Sequence, residues 1–224
     1  MALKVDSEWV EIVRTVAKKR GVKWEAVGGL NPVGAPLALC PGGSNRLTGK
    51  LGKDFWGASC DAQERVEGRF RSKRIVPGAI LIKAHFPDLA DAMSPFNVES
   101  IERNPGDMID RMSRKRVQFE SIEFNRKFIA TVPLDHDPVA LRELISPGFL
   151  DWAAHINNRI DFGMMERQMY VTWTLESRDV ETYERALDTA GELFRRVAKE
   201  VQDEGRHIYP PGPWHAGLEP FPAS

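Results

Sequence analysis

Apolar positions recur every three or four residues near both ends of the chain and every second residue between them. Trp9, Val10, Val13, Val16 and Ala17 fall on one face of a helix predicted over Ser7 to Arg20. Ser7 supplies its cap, Gly21 its stop, and Lys18, Lys19 and Arg20 sit at the negative end of its dipole. Tyr183, Leu187, Ala190, Phe194, Val197 and Val201 predict a second amphipathic helix over Asp179 to Val201. Gln168 to Leu175 alternates Met169, Val171, Trp173 and Leu175 against Tyr170, Thr172 and Thr174, the clearest strand pattern in the chain. Arg159 to Met164 precedes it as a hairpin partner, with a turn near Met165-Glu166-Arg167. Ala79 to Phe86 is another strand, with Ile80, Ile82 and Ala84 on one face and Leu81, Lys83 and His85 on the other. Leu51 to Cys60 holds one more.

The middle of the chain is less regular. Val117 to Thr131 reads as a strand, but Phe119 and Phe124 have opposite parity, so a turn or bulge is expected between Glu120 and Glu123. Phe124 and Phe128 are assigned to the core. Asp137 then caps a helix opened by Pro138 and running to about Ile145. Ser146-Pro147 starts a further helix carrying Phe149, Trp152, Ala153 and Ile156. Gly28 to Gly52 holds seven glycines and three prolines and reads as ordered loop with short strands. Asp61 to Arg74 reads as a polar loop.

These elements predict an α+β fold. An antiparallel, strongly twisted sheet of roughly five to seven strands is covered by the N-terminal, middle and C-terminal helices. The candidate breakpoints, Lys50 and Asn104-Pro105, leave halves whose strands share that sheet. Residues 1–207 are therefore expected to form a single domain, followed by a Pro-rich tail, 208–224.

Composition narrows the chemistry. In 224 residues, 42% are hydrophobic, enough for a sizeable core. The 31 basic and 32 acidic side chains nearly cancel, which argues against a globally basic nucleic-acid binder and leaves room for a local basic patch. Two cysteines, Cys40 and Cys60, do not make a disulfide framework and are read as reduced thiols. The first twenty residues lack the apolar core of a signal peptide, and no run of apolar residues is long enough to span a bilayer, so the expected location is cytoplasmic.

Chemical motifs are sparse. Gly49-Lys50 is followed by Leu51, which breaks a phosphate-loop pattern, and no dinucleotide fingerprint follows a strand. The five histidines, His85, His136, His155, His207 and His215, show no metal-binding spacing, and no nucleophile elbow is present. No cofactor is expected. Asp135-His136-Asp137 is the most catalytic-looking triplet, although Asp137 already has use as a cap. Glu120 and Glu123 could act as an acid and base pair, but the simpler reading pairs them with arginines. Two basic runs stand out: Arg65, Arg69, Arg71, Lys73 and Arg74; then Arg111, Arg114, Lys115 and Arg116. Should they meet on one face they make an anion or nucleic-acid patch; otherwise they are solvated loops. The tail, with five prolines and isolated Trp214 and Phe221, is either an arm that docks on the body or a neighbour, or a frayed end.

The block Glu120-Ser121-Ile122-Glu123-Phe124-Asn125-Arg126-Lys127-Phe128, followed by Asp137, Leu144, Pro147, Leu150 and Trp152, resembles an uncharacterised bacterial family with an ExxEFNxxF…D…LxPxxLxW pattern. The resemblance covers about residues 8 to 200. Relatives in that family are often membrane-tethered, and the longer stretch around Glu102 to Lys115 is a departure from it. The resemblance implies a fold and carries no activity. With no catalytic signature in the sequence, the expected function is non-enzymatic binding or assembly, with a protein partner or with itself. The alternatives are nucleic-acid or anionic-surface binding through the basic runs, and an enzyme centred on Asp135, His136, Glu120 and Glu123.

Overall fold

A computed structural model describes residues 7–26, 45–53, 55–67, 74–86, 92–102, 114–156, 159–165 and 168–203, with the backbone alone at 63–67, 74–77 and 85. Nine strands form one sheet, each paired antiparallel to its neighbours. They are β1 (Lys23–Glu25), β2 (Arg46–Lys50), β3 (Trp56–Glu67), β4 (Arg74–His85), β5 (Phe96–Ser100), β6 (Arg114–Val117), β7 (Phe128–Pro133), β8 (Ile160–Met165) and β9 (Gln168–Thr174). Among the described residues five helices accompany them: α1 (Ser7–Arg20), α2 (Ile122–Lys127), α3 (Pro138–Leu144), α4 (Pro147–His155) and α5 (Val180–Asp203). The fold is α+β, as the pattern requires. The strand count exceeds the expected five to seven because β1, β5 and β6 are short and lack a strong alternating signal.

The strand order is β1-β2-β3-β4-β9-β8-β5-β7-β6. The last hairpin therefore sits in the middle of the sheet, where β9 pairs with β4 on one side and β8 pairs with β5 on the other. Strand periodicity then assigns faces. Leu47, Phe55, Ile80, Ile82, Val98, Val132, Phe162, Val171 and Trp173 point toward the helices and join the buried side chains of all five in one core. Trp9 and Tyr183 bring α1 and α5 together over this face, with ring centroids 5.6 Å apart. The α1 stop is Gly21, at φ 63, the left-handed conformation that lets Val22 N–H reach the Ala17 carbonyl at 3.0 Å.

Two expectations are corrected. Val117 to Thr131 is not one strand: β6 ends at Val117, α2 occupies Ile122–Lys127, and β7 begins at Phe128. Ser121 caps α2 by accepting the Phe124 N–H at 3.2 Å. Asn125 clamps the entry from the other side, accepting from Phe119 N–H at 3.3 Å and donating to the Phe119 carbonyl at 2.6 Å. The helical turn puts Phe124 and Phe128 on one side, and Phe119, Phe124 and Phe128 stack in sequence with centroids 5.3 Å apart at each step. The parity conflict among these rings is resolved by helix rather than by bulge. Asp61 to Arg74 is likewise no simple loop, since β3 runs into it as far as Glu67 and stays paired with β4, Arg65 opposite Val76 and Glu67 opposite Arg74. The strand expected within Leu51 to Cys60 is the start of β3, which opens at Trp56 after β2 closes at Lys50.

No described helix is long and apolar enough to cross a membrane. Cys40 and the tail 208–224 lie outside the described residues.

Candidate functional site

The most catalytic-looking residues do not assemble. Asp135 and His136 follow β7 at one end, where their side chains meet at 3.0 Å between Oδ1 and Nδ1. Glu120 and Glu123 precede β7 at its other end, roughly 20 Å of strand away. Asp135 is largely exposed, and its contact with His136 holds its carboxyl below the usual range. Asp137 accepts the Val139 N–H at 2.9 Å and caps α3 as the sequence indicates. Glu123 pairs with Arg126 one turn along α2 at 3.1 Å, an exposed contact between like-placed surface side chains rather than a cross-strand pair. Among the described residues no group of three His, Cys, Asp or Glu side chains is placed to hold a metal ion.

The described parts of the two basic runs are also apart. Arg65 and Arg74 belong to the part of the β3–β4 ribbon, residues 63–67 and 74–77, where only backbone is described. Arg69, Arg71, Lys73 and Arg111 lie outside the described residues, as do Trp214 and Phe221. Arg114, Lys115 and Arg116 form β6, the last strand of the sheet. Five strand spacings separate β6 from β4, about 24 Å across the sheet. The described parts of the two runs therefore do not share one patch.

Two buried polar groupings were not singled out in the sequence. On the helix face, the Asp61 carboxylate accepts the Trp9 indole N–H at 2.9 Å and the Asn45 amide at 3.1 Å, and Asn45 accepts from the Trp24 indole at 3.1 Å. Beside them Ser59 and Tyr183 share a hydrogen bond of 2.8 Å, and burial pushes the Tyr183 phenol well above its ordinary value. This network ties α1, β1, β3 and α5 together.

The second grouping crosses the opposite face. Register places Ala58, Lys83, Tyr170, Gly163, Asn97, Thr131 and Arg116 side by side on seven consecutive strands. Lys83, Tyr170, Asn97 and Thr131 are buried within it, and Asp161 and Thr172 are buried in the next row. Gly163 leaves the space through which the Tyr170 hydroxyl reaches across β8 to donate to Asn97 Oδ1; Asn97 donates in turn to Glu99. Burial drives the Tyr170 phenol far upward, the Arg114 guanidinium opposes this, and Asp161 and Glu99 add to it. The phenol is thus held as a donor. The sequence signal was present in the polar Lys83 and Tyr170 of otherwise apolar strands, but only the register joins them.

At the β6 end the surface is open. Arg114 is half-buried, and Lys115 and Arg116 are exposed. The turn after β7 leads into α3, and here Leu134 and Val139 are exposed at 53% and 37%, two of three such large apolar side chains among the described residues. Lys115 Nζ donates to the His136 carbonyl at 3.0 Å and fixes this turn against the strand.

No family model and no curated protein matches the chain. Its fold is similar to that of a solved structure, the crystal structure of the mycobacterial trehalose monomycolate transport factor A, TtfA. The two align with a TM-score of 0.58 at 10% sequence identity, over 87% of this chain and 97% of that one.

Proposed function

We propose that the protein is a non-enzymatic binding or assembly protein, engaging a protein partner or a second copy of itself through the β6 corner. The observation that carries this reading is the coincidence of an edge strand with exposed apolar side chains. β6 closes the sheet, so one side of its backbone is turned away from β7, and an edge of this kind accepts an added strand. Leu134 and Val139 beside it supply apolar contact, and Arg114, Lys115 and Arg116 supply a charged rim. Three cations on an edge discourage indiscriminate pairing and favour a partner that carries acidic groups. The separation of Asp135 and His136 from Glu120 and Glu123 by the length of β7 weighs against an enzyme built on those four. The similarity to a protein named as a transport factor agrees with a role in binding, and the membrane-tethered relatives of the ExxEFNxxF pattern are compatible with it.

The test uses Leu134→Asp together with Val139→Asp. Both positions are exposed, so the double variant should unfold at nearly the wild-type denaturant concentration. Light scattering across a wide concentration range should show association in the wild type and a monomer in the variant. A photoreactive amino acid at position 134 should also cross-link the wild-type corner to itself or to a partner. A wild type that stays monomeric and gives no cross-link at position 134 overturns the proposal.

A further inference from the structure

Strand alternation separates the cations of β6. Arg116 stands opposite Thr131 and Arg114 opposite Pro133, so both guanidiniums lie on the face that carries Tyr170 and Asn97; Val117, opposite Ala130, lies on the helix face, as does Lys115 by alternation. Arg114 and Arg116 are two residues apart on one side of a strand, roughly 7 Å between their Cα atoms. That spacing suits one tetrahedral oxyanion bridging two guanidiniums. Neither guanidinium has an ion pair among the described residues, so their mutual repulsion is not offset there. Arg114 is half-buried on that face, and its charge opposes the upward shift of the Tyr170 phenol.

A second observation points to the same place. The Thr131 hydroxyl, in register with Arg116, is buried without a hydrogen-bond partner, and a buried hydroxyl left unpaired is costly. The nearby carboxylates lie in the next row: Asp161 on β8, opposite Thr172, and Glu99, two residues beyond Asn97 on β5. Glu99 pairs with Ile129, at the end of β7 away from Pro133 and Arg114. The face is therefore polarised, with acid at one end and two guanidiniums with a spare hydroxyl at the other. We propose that Arg114 and Arg116 bind an oxyanion of the phosphate class above Thr131, either a free anion or one carried on a lipid headgroup. This site is independent of strand addition at β6.

Isothermal titration of the full chain with inorganic phosphate tests it, alongside co-sedimentation with phosphatidylcholine vesicles with and without phosphatidic acid. Saturable phosphate binding identifies a small-anion site. Binding to the phosphatidic acid vesicles alone identifies a headgroup. In either case Arg114→Gln and Arg116→Gln should each weaken binding about tenfold or more, the loss of one charge-assisted contact. Arg116→Lys should keep part of it, and Lys115→Gln, on the opposite face, should leave it nearly unchanged. Circular dichroism of each variant confirms that it is folded. The proposal is overturned if neither phosphate nor phosphatidic acid vesicles bind, or if Lys115→Gln loses as much as Arg116→Gln.

Discussion

Gly163 shows how a single residue sets the polar row. A Cβ built there would lie 2.3 Å from the Phe96 carbonyl oxygen and 2.7 Å from the Tyr170 hydroxyl. The first neighbour is backbone of a paired strand and cannot swing aside. Gly163→Ala should therefore cost about 1–3 kcal/mol, the range for overpacking a tight interior, read as a lower urea midpoint. An unchanged midpoint would mean that β5 and β8 separate freely at this point, and the Tyr170 to Asn97 bridge would lose its structural basis. At this scale the sequence was readable wherever one residue type answers one local demand. Phe124 and Phe128 were expected in the core and are 1% and 0% exposed. Gly21 ends α1, and Asp137 caps α3. Gly163 was not readable in this way, because what surrounds it comes from β5 and β9, and nothing in its own neighbourhood specifies those strands.

Among the elements, the long helices announced themselves. The stripe expected over Asp179 to Val201 became α5, with Tyr183, Leu187, Ala190, Phe194, Val197 and Val201 all buried. Asp179 starts it by accepting the Thr182 N–H at 2.7 Å, and its carboxyl is held below the ordinary range first by the Ser177 hydroxyl and then by that N–H. A carboxyl depressed in the folded state adds stability above its unfolded value and loses it as pH falls through the folded one. Acidification should thus weaken the wild-type cap. Asp179→Asn keeps a capping oxygen but cannot titrate, so its stability should fall less steeply than that of the wild type below about pH 4. Parallel pH profiles of the two proteins would refute this assignment. At α3, Asp137→Ala should cost about 0.5–2 kcal/mol by denaturant unfolding and His136→Ala less, since Asp137 supplies the capping oxygen and His136 only an exposed contact. The element that misled was α2. Its six residues offer too few turns for a periodic stripe, and Phe119, Phe124 and Phe128 mimic a kinked strand. The usable signal was the pair Ser121 and Phe124, a cap followed by the first core residue of a helix.

For the molecule as a whole, the strand order could not be inferred from local patterns, and it has the largest consequence. Cutting the chain at Lys50 or at Asn104-Pro105 would divide strands that are neighbours in space. β4 from the first part pairs over seven residues with β9 from the last, from Ala79 opposite Thr174 to His85 opposite Gln168. The helix-face core is continuous from Trp9 on α1 to Val201 on α5. α4 is joined to α5 by Glu200, which accepts the Ser146 N–H at 2.7 Å and the Ser146 hydroxyl at 2.9 Å. A sheet closed in its middle by the last hairpin cannot complete its core until that hairpin arrives, so few of its contacts are satisfied by either part alone. Unfolding should accordingly be one cooperative event, with fluorescence and far-ultraviolet dichroism transitions that coincide and a calorimetric enthalpy equal to the van't Hoff value. Fragments 1–104 and 105–224 should each remain unfolded when made separately. Two resolved transitions, or a fragment that folds alone, would show that the β4–β9 ladder joins two independent units rather than running through the centre of one.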